Sequence, residues 1–266
     1  MSQMEAAFFD LDKTIISKSS SLALTRPMYR AGLVSRSMLL RGAYAQLVYL
    51  LLGADEKKMD RAKEAMTALS KGWEKEAVEE LVRDVLIELI DPYVYQEALD
   101  LMALHQALGR RVFIVSSSPE EVVKPLAEHF GVTDVIATRA AVDDGKYTGA
   151  IERYVYAEGK AEAIRDTAAV VGIDLDNSYA YSDSITDLPM LECVGNPVAV
   201  NPDRDLRREA EKRSWQIRYF RRPVRLRTRL AGAIPKPSPV AAAAAGAAVA
   251  ALVAWVYLRP RLRRTA

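Results

Sequence analysis

The feature that most constrains this chain is a series of short apolar runs, each stopping at a polar or acidic residue. AAFF runs into Asp10, VFIV into Ser116, DVIA into Thr138, YAY into Ser182 and PVAV into Asn201. Runs this short and uniformly apolar suit strands buried on both faces, as in a parallel sheet. Amphipathic stretches at 119–130 and 157–171 supply crossover helices between them. The implied fold class is α/β, a doubly wound, Rossmann-like parallel sheet. Between Thr14 and the strand before Ser116 the patterns are helical, divided near Gly32, Gly53, Gly72 and the Asp91-Pro92 break. That segment reads as a helical cap, residues 19–91, inserted into a core made of 1–18 and 92–217. In AAVDDGKYTGAIE, the Asp144-Gly145 pair between alternating runs predicts a hairpin standing off the sheet, where it could border a site.

Charge divides the chain. Residues 201–266 hold 16 Lys and Arg against 4 Asp and Glu, leaving 21 against 31 in residues 1–200. A basic tail on an acidic body points to an anionic surface as the tail's partner, either lipid headgroups or nucleic acid. Residues 218–239 read as a basic, Pro-rich linker, and 240–258 form an uncharged, Ala-rich run closed by RPRLRR. Nineteen residues at about 1.5 Å each give roughly 28 Å, close to a bilayer core. A buried or surface Ala-rich helix is the alternative. Flanking prolines, Trp255, Tyr257 and arginines on both sides favour a C-terminal hydrophobic helix that spans or lies on a membrane. The first nine residues lack a basic leader and a cleavage site, so the body is expected in the cytoplasm. The arginine run lacks interleaved stacking residues, so specific nucleic-acid binding is not expected.

Cys193, the single cysteine, has no Cys or His at ligand spacing. A disulfide framework and a zinc site are excluded, and Cys193 reads as core. His105 and His129 are the only histidines; they fall in separate helical segments, with surface or capping roles expected.

FFDLDKT sets Asp10 and Asp12 at the mouth of the first strand, where open α/β sheets hold their ligands. Loop capping would explain one acid. Phosphoryl transfer explains two: a carboxylate nucleophile, a cation neutralising charge, and a second carboxyl for the leaving-group proton. At the next strand end Ser116 and the loop amides, Ser117 included, can bind phosphate oxygens, while Ser118-Pro119 reads as a helix N-cap and N1. Lys160 stands near a helix start, disfavoured for a cation unless an anion shares the site; otherwise it is a solvated surface lysine. After the strand ending at Ser182 come Asp183 and Asp187, which suit an oxygen-loving divalent ion or, alternatively, an Asx-turn and helix cap.

Taken together, Asp10, Asp12, Ser116, Lys160, Asp183 and Asp187 resemble the haloacid dehalogenase superfamily. The closer resemblance is to its subfamily IB, which includes phosphoserine phosphatase, over residues 5–215. Motif one, DxDxT, matches Asp10, Asp12 and Thr14; motif two Ser116; motif three Lys160; motif four Asp183 and Asp187. Ser182 stands where many members have glycine. The resemblance implies that Asp10 is the nucleophile and Asp12 the acid and base. It implies magnesium held by Asp10, the backbone carbonyl of Asp12 and Asp183, with Asp187 and Thr14 in support. Ser116, Ser117 and Lys160 would hold the phosphoryl oxygens, and the insert would be a helical C1 cap that selects substrate. The expected activity is hydrolysis of a phosphomonoester through an aspartyl-phosphate. The anchor suggests a lysophospholipid phosphate such as lysophosphatidate; the resemblance alone allows phosphoserine or another small metabolite. A catalytically retired membrane scaffold is a third possibility, and the complete set of acids argues against it. A receiver domain would be about half this length, and a P-loop would need glycines that do not precede Lys160.

Overall fold

The computed structural model describes residues 4–18 and 70–221. Its strands are β1 (Ala6–Asp10), β2 (Arg111–Pro119), β3 (Asp134–Asp143), β4 (Lys146–Arg153), β5 (Tyr179–Ser182), β6 (Asn196–Val200) and β7 (Gln216–Arg218). The helices are α1 (Lys75–Ile90), α2 (Gln96–Ala107), α3 (Glu120–His129), α4 (Glu158–Val171), α5 (Leu188–Glu192) and α6 (Arg204–Lys212). Among the described residues the strands form one seven-stranded sheet of order β4-β3-β2-β1-β5-β6-β7, and only β3 and β4 pair antiparallel. The chain winds outward from β1 in one direction, then returns beside β1 at β5 and winds outward in the other. The carboxyl ends of β1 and β5 therefore flank the point where α/β sheets bind ligands.

The five residues of β1 are all buried, as its unbroken apolar run requires. Successive side chains leave opposite faces. Phe8 stacks on Phe113 at 5.1 Å among Ile164 of α4, Met190 of α5 and Leu206 of α6. Phe9 stacks on Tyr181 at 4.3 Å on the other face, with His105 of α2 edge-on at 6.0 Å. Burial of side chains this large contributes about 1.5–3 kcal/mol each and fixes β1 between two helical layers.

All the strands expected from the apolar runs are present. The hairpin is present too: β3 follows β2 as far as Thr138, then pairs with β4 from Arg139 onward. Its two-residue turn has Asp144 at φ 45° and Gly145 at φ 72°, both in the left-handed region that such a turn demands. The hairpin's backbone binds the chain ahead of α1. Gly72 N–H donates to the Tyr147 carbonyl at 2.8 Å, and Tyr147 N–H donates to the Trp73 carbonyl at 3.0 Å.

Sequence patterns did not suggest β7. At three residues, QIR, it carries no alternation of its own and exists by pairing with β6. Beyond it Phe220 is buried, its ring 5.9 Å from that of Tyr95. Residues 19–69 of the expected cap, the linker beyond residue 221 and the expected membrane helix at 240–258 lie outside the described residues. Among those described, no helix is long and apolar enough to cross a membrane.

Candidate active site

Four segments bring their polar residues to the carboxyl end of β1. Asp10 ends β1, level with Val115 of β2, so Ser116 stands one residue further along. On the other side Phe9 pairs with Tyr181, which carries Ser182 and Asp183 to the level of Asp10 and beyond. The 3-10 turn Ile185–Asp187 returns Asp187 to the same place. Lys160 enters from the first turn of α4, where a Cβ on Gly159 would lie 2.4 Å from the Tyr154 carbonyl. Only glycine lets the chain pass that close.

The lysine ties these segments together. Lys160 Nζ donates to Asp10 Oδ1 at 2.5 Å and to Asp187 Oδ2 at 2.7 Å. Its side chain is buried, which removes the solvated-surface alternative. Asp187 Oδ2 also accepts from Ser182 Oγ at 2.6 Å. Thus Ser182, at the position where many members of the resembled family have glycine, uses its hydroxyl to orient an acid. Ser116 is buried and its Oγ accepts from the Ser118 N–H at 3.1 Å. Asp12 is half-buried, and Ser118 Oγ reaches its Oδ2 in a long hydrogen bond of 3.4 Å. Ser117 is exposed at the same strand end.

Electrostatics make the cluster incomplete. Among the described residues Asp10, Asp183 and Asp187 are buried, against one buried ammonium, that of Lys160. Burial pushes Asp10 well above the ordinary carboxylate range; Lys160 opposes this, and Asp187 and Asp183 reinforce it. Burial likewise pushes Asp183 up to about 7, against the pull of Lys13. Burial would strip Lys160 of its proton, but Asp10 and Asp187 outweigh it and raise its pKa. A further cation, Lys13 Nζ, stands 3.9 Å from Asp183 Oδ2 on a largely exposed side chain and is screened by solvent. Buried carboxylates in excess of buried cations form the donor set a hard divalent ion takes, and a bound cation would reverse the rise at Asp183. No three His, Cys, Asp or Glu side chains group as metal ligands among the described residues. The expected set is of another kind, two carboxylates and one backbone carbonyl. Thr14 is fully buried in the loop that follows β1, and its Oγ1 has no hydrogen-bond partner among the described residues.

Two readings from the sequence are corrected here. Ser118 is not the N-cap of α3: Pro119 holds that position with no side-chain cap, because the Ser118 side chain turns to Asp12. A run of three serines at a strand end was the available signal. His105 is not at the surface; it is 3% exposed, and its Nε2 lies 2.7 Å from the Tyr181 hydroxyl. Its ring packs against those of Phe9, Tyr179 and Tyr181, and Arg110 Nη1 lies 3.5 Å from its Nδ1.

Comparison with known proteins bears on the family and the fold. A family model described as haloacid dehalogenase-like hydrolase matches residues 7–192. A probable phosphatase of Mycobacterium tuberculosis is 50% identical over 262 residues, which covers 98% of this chain and 90% of that one. A phosphoserine phosphatase of the same organism is 36% identical over 251 residues, covering 93% of this chain and 79% of its own length. Among solved structures, a phospho-aspartyl intermediate analogue of phosphoserine phosphatase superposes with a TM-score of 0.58 at 20% identity, over 86% of this chain and 98% of the other.

Proposed function

From the premise that this chain belongs to the haloacid dehalogenase-like hydrolases and is a phosphatase among them, we propose that it hydrolyses a phosphomonoester with Asp10 as nucleophile and magnesium as cofactor. The observation that carries this reading is the buried Lys160 held between Asp10 and Asp187. A lysine so placed fixes Asp10 at the strand mouth, opposes the burial that disfavours its charge, and has an ammonium ready for the phosphoryl oxygens.

In the proposed reaction an Asp10 carboxylate oxygen bonds to phosphorus, and the bond from phosphorus to the ester oxygen breaks. Asp12, half-buried and open to solvent, gives its proton to the departing alkoxide. It then takes a proton from the water that hydrolyses the aspartyl-phosphate, which returns Asp10 and releases inorganic phosphate. Ser116, the Ser117 amide and Lys160 hold the phosphoryl oxygens. Magnesium, when held by Asp10, the backbone carbonyl of Asp12 and Asp183, neutralises charge on carboxylate and phosphate. Asp187 supports the set by fixing Lys160, and Thr14 by its buried hydroxyl.

A small phosphorylated metabolite such as phosphoserine is the substrate favoured by the relative of that name. A lysophospholipid phosphate is a second reading, favoured by the apolar, arginine-flanked run at 240–258, which we take as a membrane anchor. The test is hydrolysis by the full-length protein of phosphoserine and of lysophosphatidate in detergent micelles, with magnesium, after exhaustive chelation, and after magnesium is restored. Chelation is expected to lower turnover by about 100-fold or more, with recovery on adding the ion. Turnover that survives chelation removes magnesium from the reaction, and the ratio of the two rates decides the substrate class.

A further inference from the structure

Asp203 lies outside all the residues assigned above, in the turn between β6 and α6, and it makes more bonds than a helix cap requires. As N-cap of α6 it accepts on Oδ1 from the Asp205 N–H at 3.1 Å and the Leu206 N–H at 2.8 Å. One carboxylate oxygen completes that task, and serine or asparagine would do it as well. Its Oδ2 faces the other way. It accepts from the Ile185 N–H at 2.9 Å and from Ser184 Oγ at 3.2 Å, both in the loop that follows Asp183. The Asp203 N–H donates to the Asp183 carbonyl at 2.7 Å.

Both partners of this clip are anchored. Leu206 and Ala210 root α6 in the core, and Ala199 and Val200 bury the end of β6. Asn201, at φ 44°, turns the chain out of β6 and is held in place by bonds to Phe220: its Oδ1 accepts from the Phe220 N–H at 2.9 Å, and its Nδ2 donates to the Phe220 carbonyl at 3.2 Å. The loop of Asp183 has less of its own. Within it Ser184 caps Thr186, the Ser184 N–H donates to Ser182 Oγ at 3.3 Å and Lys13 pairs with Asp183 at 3.9 Å; its bonds to the β6–α6 turn among the described residues run through Asp203. We propose that Asp203 is a positioning residue of the phosphatase reaction, which sets where Asp183 stands by joining the Asp183–Ile185 backbone to the N-terminus of α6. The inference rests on the reading of Asp183 as a magnesium ligand. Groups that orient a ligand in this way characteristically govern metal affinity.

The test separates capping from positioning. Asp203→Ser keeps one acceptor for the α6 amides and gives up the oxygen that holds the loop. Asp203→Asn keeps the shape, but turns an NH2 group toward one of the two sets of N–H donors. Two quantities are read on the full-length protein: the magnesium concentration giving half-maximal turnover, and the rise in melting temperature with added magnesium in the absence of substrate. Both variants are expected to need about tenfold more magnesium by either readout, with the metal-free melting temperature of Asp203→Ser close to that of the unaltered protein. If Asp203→Ser folds poorly, the decision rests on Asp203→Asn, read the same way. Magnesium dependence unchanged in the folded variant overturns the proposal. Asp183→Asn, run in parallel, locates the failure. If it abolishes the magnesium response while the Asp203 variants leave it intact, Asp203 alone is misassigned; if it too leaves the response intact, the reading of Asp183 falls with it.

Discussion

Beneath β1 and β5, Phe9, Tyr181 and His105 enclose a polar group in an aromatic layer; at the carboxyl ends of the same strands, Asp10, Asp183, Asp187 and Lys160 enclose several. The two places are about equally buried and differ in charge. Burial, helped by Arg110 and Arg218, holds His105 down at about 4, so near pH 7 the imidazole is neutral and shares a hydrogen bond with the Tyr181 hydroxyl. Of the charges nearby, Arg110 and Glu5 pair at 2.6 Å on side chains that reach solvent. Nothing in that layer calls for a ligand. At the strand ends the acids outnumber the buried ammonium, and desolvation raises both Asp10 and Asp183. Buried charge left uncompensated is costly in a resting protein. It is useful where a cation and a phosphate complete the balance, which is why we propose the acidic cluster, and not the histidine, as the reaction site.

The largest effect that would break this contrast is on turnover. Asp10→Asn keeps the shape of the side chain and an oxygen for Lys160, but the amide does not attack phosphorus. Turnover of a phosphomonoester is expected to fall by about 10⁴-fold or more, with an unchanged circular dichroism spectrum. A folded variant that retains activity would rule Asp10 out as the nucleophile.

A smaller, thermodynamic effect sharpens the comparison. Lys160→Met leaves Asp10 and Asp187 facing each other without their shared cation. Breaking a buried ion pair in this way is expected to cost about 3–5 kcal/mol in urea unfolding at pH 7 without magnesium. The cost should shrink from pH 7 to pH 5, because burial unopposed by the lysine favours the protonated form of Asp10 as pH falls. Equal losses at both pH values would mean that packing of the lysine stem, and not charge, holds the cluster.

The smallest effect belongs to the neutral layer. His105 has a folded-state value near 4, below the ordinary 6.5, so the unfolded chain takes up its proton first as pH falls. Its contribution to stability is complete above pH 6.5 and is lost as pH drops toward 4, about 2 kcal/mol between pH 7 and pH 5. His105→Gln should flatten that part of the pH profile, at a cost of about 1 kcal/mol at pH 7, because glutamine still offers Tyr181 a partner. Denaturant titrations at the two pH values measure both. A slope identical to that of the unaltered protein would assign the acid sensitivity to other groups.

Most of the fold could be read in advance, because the signals were local. An apolar run between polar residues makes a buried strand wherever it falls, and Asp-Gly between alternating runs makes a tight hairpin turn. The exceptions were local signals overruled by distant neighbours. Ser118 has the sequence context of an N-cap, yet its hydroxyl turns to Asp12. QIR has no strand pattern, yet it completes the sheet because β6 offers it an open edge.

By itself the sequence determined which residues stand at strand ends and helix starts, and so which side chains were available for chemistry: Asp10, Asp12, Ser116, Lys160, Asp183 and Asp187. Only the tertiary structure decided their partners. That Lys160 lies between Asp10 and Asp187, that Ser182 orients Asp187, that Asp203 holds the Asp183 loop and that His105 is buried against Tyr181 all depend on which strand ends are neighbours. The sheet order places β5 beside β1 although more than half the chain separates them. That order is settled by packing of the whole core, and strand periodicity, which repeats every two residues, carries no information about it.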